Sequence, residues 1–154
     1  MAKFLPKRLA LAQHFLQRPA LARILVGAAD LAPTDTVLEI GPGTGMLTAA
    51  LAESARRVVA IEKDPRLVAQ LRARFRQTPQ VEIVAGDYLT VSLALDDYKL
   101  FANIPFNQTA AIMRKVVSEP PCTGHLIMQR EAAQKFAGQP LESQASVLLK
   151  PWFA

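Results

Sequence analysis

Val37-Leu38-Glu39-Ile40-Gly41-Pro42-Gly43-Thr44-Gly45-Met46-Leu47-Thr48 decides the fold. It opens on a short apolar run of the kind that forms a buried parallel strand. Three glycines follow at alternate positions, and then Leu47, Leu51 and nearby alanines begin a helical pattern. Strand, glycine turn and helix in this order form the front of a nucleotide-binding βαβ unit. Lacking a Cβ, Gly41 and Gly43 allow the tight turn and let a ligand approach the backbone closely. The spacing is Gly-x-Gly-x-Gly rather than the dinucleotide pattern Gly-x-Gly-x-x-Gly, and on its own it also suits a plain tight turn.

The next segment narrows the choice. Arg57-Val58-Val59-Ala60-Ile61-Glu62 is a second apolar strand that ends in a carboxylate 21 residues after Gly41. An acidic side chain at that distance, at the tip of the second strand, accepts hydrogen bonds from a ribose diol. The expected ligand is an adenosine-containing cofactor, with the glycine turn beneath it and Glu62 on its sugar.

The 154 residues suffice for one α/β domain with a sizeable core, and an apolar fraction of 51% argues against disorder. No apolar run approaches the roughly 18 residues of a membrane span, and no signal-peptide pattern follows the basic N-terminus. The single cysteine, Cys122, excludes an internal disulfide and a cysteine-based zinc site. The cytoplasm is the expected compartment. A formal charge of +5 and a pI near 9.7 favour an anionic partner, nucleic acid first, although a solvated basic surface would have the same composition.

Lys3, Lys7 and Arg8 form a basic arm. Helical spacing of Leu21, Ile24, Leu25 and Ala28 after Pro19 predicts a helix over about 19–30. Asp64-Pro65 should start a helix. Val81–Asp87 should be a third strand with Asp87 at its tip, where ligands of open α/β sheets bind, capping of the next turn being the alternative reading of that residue. Tyr98–Phe106 should be a fourth strand and its exit, with a helix over about Thr109–Ser118 and a fifth strand over Gly124–Gln129. Arg130–Ala137 reads as a helix and Ser146–Phe153 as a sixth strand.

Asn103-Ile104-Pro105-Phe106 leaves the fourth strand at the cofactor edge. An aromatic exocyclic amine is a poor nucleophile, because its lone pair is delocalised into the ring. An amide oxygen and backbone carbonyls that accept the amine hydrogens localise that pair and stabilise positive charge growing on nitrogen. An aromatic side chain beside them can stack on a planar base and attract a sulfonium cation. A strand-ending turn with a packed Phe is the plainer reading of the same four residues.

Five segments together resemble the ribosomal RNA adenine N6-methyltransferases: the Erm enzymes and the small-subunit rRNA dimethyladenosine transferases. They are Gln13-His14-Phe15-Leu16, Glu39–Gly45, Ile61–Asp64, Gly86-Asp87-Tyr88-Leu89 and Asn103–Asn107. His14 stands where the family usually has Asn. The resemblance runs from Gln13 to Phe153 and implies a Rossmann-like class I methyltransferase. The fold would be a mostly parallel sheet of about six strands with helices on both faces. It implies S-adenosyl-L-methionine as cofactor, held by Gln13, His14, Leu16, Gly41, Gly43, Glu62, Asp87 and Asn103. Glu62 would take the ribose diol and Asp87 the adenine. Catalysis would fall to Asn103, Pro105 and Phe106, with no metal. The partner would be rRNA, with 23S rRNA favoured by the Erm-like Leu148–Phe153 ending, and the protein a monomer. Family members continue with a further aromatic segment and a helical domain. This chain is therefore expected to be the catalytic domain alone, residues 1–154, with 1–18 as a basic arm. Methylation of a protein amide or a small molecule, and non-catalytic RNA binding, remain as rival readings.

The basic arm and the pI predict RNA affinity that is mostly electrostatic. The slope of log K against log salt should gain about 0.7 to 0.9 per phosphate contact. Neutralising Lys3, Lys7 and Arg8 together should flatten that slope in a filter-binding titration; an unchanged slope removes the arm from the RNA.

Overall fold

β1, Thr36–Ile40, is buried at all five positions. A strand buried on both faces must lie inside a sheet covered on both sides, and β1 does. β2 (Arg57–Glu62) pairs with it on one edge and β4 (Lys99–Asn103) on the other, both parallel. β3 (Val81–Ala85) adds to β2 and β5 (Gly124–Ile127) to β4, so the order is β3-β2-β1-β4-β5. The computed structural model describes residues 18–105, 107–120 and 122–136. The expected sixth strand, Ser146–Phe153, lies outside them, so five parallel strands are seen where about six were expected.

The helices are α1 (Pro19–Gly27), α2 (Met46–Ser54), α3 (Pro65–Arg74), α4 (Thr109–Ser118) and α5 (Arg130–Phe136). Alternate strand residues face opposite sides of the sheet, and two cores result. Val37, Val58 and Phe101 pack with Ala22 and Val26 of α1 and with Leu47 and Leu51 of α2. Leu38, Ile40, Val59, Ile61 and Leu100 pack with Ile112 and Met113 of α4. No described helix is long and apolar enough to cross a membrane.

Element ends differ from the sequence expectations for local reasons. α1 stops at Gly27 rather than near residue 30; Ala29 keeps its apolar role by being buried in the turn, where Asp30 adopts a φ of 46°. β3 ends before Asp87 because that residue builds a turn, accepting from the Leu89 N–H on its carboxylate and from the Thr90 and Val91 N–H groups on its carbonyl. β4 ends before Pro105, which has no N–H for the ladder. α3 starts as expected, with Pro65 first and Asp64 accepting from the Arg66 N–H at 2.8 Å.

Gly45 caps α2 in the left-handed region, and a Cβ there would lie 2.7 Å from the Phe75 ring and 2.8 Å from Leu71. The third glycine is therefore a packing residue that lets α3 lie against the start of α2.

Glu39 is 1% exposed in the middle of β1, and neither of its carboxylate oxygens has a hydrogen bond of normal geometry among the described residues. Burial raises its pKa to about 7, with the Glu62 charge adding to the shift and Thr48 opposing it. The folded chain thus holds a proton that the unfolded chain releases near pH 4.5. The stability this contributes is fully present below pH 4.5 and is lost as pH rises through about 7. Glu39→Gln should match the wild type at pH 4.5 and be more stable at pH 8, by on the order of 3 kcal/mol. Denaturant midpoints across that range check this, and a gap that does not widen with pH refutes it.

Candidate active site

Strand order reverses between β1 and β4, and the crevice at their carboxyl ends is where open α/β sheets bind ligands. Register aligns the tips. Ile61 pairs with Ile40, which pairs with Ala102, so the next row holds Glu62, Gly41 and Asn103. A cleft of about 290 Å³ opens over this row. Gly41, Gly43, Glu62, Asp87, Asn103 and Pro105, six residues expected from sequence, all line it. Gln13, His14, Leu16 and Phe106 lie outside the described residues.

Gly41 and Gly43 adopt φ of 69° and 57°, a left-handed region that favours glycine. A Cβ on either would meet nothing within 4 Å, so the space above the turn is open. Glu62 is 7% exposed; its carboxylate accepts from the Gly43 N–H at 3.3 Å and from the Asp64 N–H at 2.9 Å. It braces the glycine turn while its remaining lone pairs face the cleft. Arg74 of α3 adds a second brace, donating to the Thr44 carbonyl and lying 5.3 Å over the Phe75 ring.

Asp87 uses one carboxylate oxygen for the Leu89 N–H, at 2.9 Å, and the other has no partner among the described residues. The half-buried Asn103 amide is likewise uncommitted among the described residues. Both therefore present unused hydrogen-bonding capacity to a ligand. Open glycine backbone, an acid at each of two strand tips and apolar walls from Ile61, Leu67 and Ile112 suit an adenosine-bearing molecule. No cluster of His, Cys, Asp or Glu able to hold a metal occurs among the described residues.

Sequence reasoning does not single out Gln108, which lines the cleft next to Pro105 and whose N–H bonds the Pro105 carbonyl at 3.0 Å. Periodicity assigns Leu67 and Ile112 to the core, and both also wall the cleft. Gln108 and Ile112 sit four apart, on one helical face. That spacing was legible, but its aim into the site was not.

Comparisons with known proteins agree with this architecture. The family model for ribosomal RNA adenine dimethylase matches residues 5–154. A dimethyladenosine transferase of Candida glabrata is 38% identical over 138 residues, covering 86% of this chain and 43% of the relative. The chain thus spans less than half the length of that relative. The crystal structure of the 23S rRNA methyltransferase ErmE superposes with a TM-score of 0.80 at 33% identity, over 88% of this chain and 56% of that one. A dimethyladenosine transferase from Plasmodium falciparum superposes with a TM-score of 0.75 at 28% identity, over 86% of this chain and 50% of that one. With nearly its whole length matched and the site row in register, the chain belongs to the ribosomal RNA adenine dimethylase family.

Proposed function

We propose that the cleft binds S-adenosyl-L-methionine and that the chain carries the catalytic part of an enzyme methylating N6 of an adenine in ribosomal RNA. The observation that carries this is the meeting of Gly41, Gly43, Glu62, Asp87 and Asn103 around one cleft at the strand reversal. Glu62 takes the ribose diol and Asp87 the adenine, with the open Gly41 and Gly43 backbone beneath. Bound there, the cofactor supplies an electrophilic methyl group on a sulfonium centre. The likeness to ErmE favours 23S rRNA as the substrate.

The target base must leave its stack to reach the cleft. The Asn103 side-chain oxygen then accepts a hydrogen from the adenine amine, and the Ile104 backbone carbonyl is at hand for the other. Both localise the nitrogen lone pair and stabilise the charge that grows as the N–CH₃ bond forms and the methyl's bond to sulfur breaks, leaving a neutral thioether. The amine proton leaves to solvent after transfer. Phe106 stacks on the flipped base, and Lys and Arg side chains hold phosphates.

Binding and chemistry separate at these residues. Glu62→Ala should weaken cofactor binding in a calorimetric titration. Asn103→Ala should keep cofactor affinity and lose roughly a hundred- to a thousand-fold in methyl transfer to rRNA. Phe106→Ala should weaken capture of the base by about 1 to 3 kcal/mol, and Phe106→Tyr should keep most activity. The assay uses labelled cofactor at saturation and maps the methylated nucleotide. It includes a form extended by the family's C-terminal segment. Full activity in Asn103→Ala removes that residue from the chemistry, and equal loss of rate and cofactor affinity moves it into the cofactor pocket.

A further inference from the structure

A group of polar side chains gathered at the C-terminal end of α4 has no part in the chemistry above. Lys115 is largely buried, with 19% of its side chain exposed. Its Nζ donates to the Tyr88 carbonyl and, at 2.7 Å, to the Val91 carbonyl. It lies 4.7 Å from the centre of the Tyr88 ring and 3.6 Å from Glu119 Oε1. Glu119 in turn accepts from the Tyr88 hydroxyl at 2.7 Å and from the Tyr98 hydroxyl at 3.4 Å. Burial above all, with the Glu119 charge beside them, raises the pKa of both phenols and keeps them as donors.

These contacts converge on one turn. Asp87 opens it and stiffens it from within through its bonds to the Leu89, Thr90 and Val91 N–H groups. Lys115 holds it from outside by the carbonyls of Tyr88 and Val91. The same helix receives the chain from Asn103 and Pro105, where the Thr109 hydroxyl donates to the Pro105 carbonyl at 3.2 Å. One rigid element thus touches both ends of the cleft.

We infer that Lys115, backed by Glu119, is a positioning residue that sets the Asp87 carboxylate against the cofactor's adenine and so determines the cleft's preference for that base. The inference rests on the reading of the cleft as an S-adenosylmethionine site with Asp87 at the adenine. A lysine that merely stabilised the fold would affect every ligand alike. One that aims Asp87 at the 6-position acts only on ligands with a donor there, which the inosyl base lacks although its N1 carries a hydrogen.

The test titrates the whole chain with S-adenosylhomocysteine and with S-inosylhomocysteine, in which a carbonyl replaces the 6-amino donor. The wild type should prefer the adenosyl ligand by roughly ten-fold or more, as for one charge-assisted hydrogen bond. Lys115→Met should bind the adenosyl ligand roughly ten-fold more weakly and the inosyl ligand nearly unchanged, so that the preference collapses. Asp87→Ala should collapse it too, and adding Lys115→Met to that variant should change nothing more. Lys115→Arg keeps the charge but, with a planar fork, cannot meet the two carbonyls in the same way; it should fold and lose part of the preference. If Lys115→Met weakens both ligands equally, or if Lys115→Arg keeps the full preference, the inference is overturned while the cofactor reading stands. If the wild type binds neither ligand, the cofactor reading fails and the inference goes with it.

Discussion

Burial of β1 on both faces is the constraint on which the site depends. A strand so enclosed has little freedom to slip, because a one-residue shift would send Val37 and Glu39 to the wrong side. Its register with β2 and β4 is therefore strongly specified, and with it the row of Glu62, Gly41 and Asn103. The three groups span 62 residues of sequence, from Gly41 to Asn103. No side-chain contact has to bring them together; the ladder does so.

The glycine turn shows how one short stretch divides its work. Gly41 and Gly43 have open space above them, whereas Gly45 is closed in by Leu71 and Phe75. Two glycines keep room for a ligand and the third allows two helices to pack. The turn is braced from β2 by Glu62 and from α3 by Arg74, so its backbone conformation is set before any ligand arrives. Preorganisation of this kind removes an ordering cost from binding.

Much of this was legible in the sequence. Runs of apolar residues marked β1 and β2, Asp64-Pro65 marked the start of α3, and spacing placed Gly41, Glu62, Asp87 and Asn103 at strand tips. Boundaries were less legible where a residue serves a turn while looking like its neighbours. Ala29 continues an apolar pattern beyond the helix, and Asp87 bends the chain two residues after β3 has ended. Lys115 and Glu119 were hidden for another reason. An i, i+4 pair of this kind in a sequence is ordinarily a solvated surface pair of little consequence. Only the folding of the 88–91 turn onto α4 buries it and provides the carbonyls that the ammonium meets. That information lies in a tertiary contact between segments 24 and 27 residues apart, with no local pattern to announce it.

Charge is also arranged by depth. The chain carries a formal +5, yet Glu39 and Glu62 are buried within or at the tips of the central strands and Asp87 lines the cleft. Glu39 and Glu62 are close enough for the Glu62 charge to help raise the Glu39 pKa. Little water lies around them to screen the repulsion, since both are buried. A positive charge bound above the strand tips would relieve it and favour ionised Glu39, whereas a neutral ligand of the same shape would not. The buried carboxylates at the strand tips therefore favour a cationic ligand in the cleft over a neutral one of the same shape.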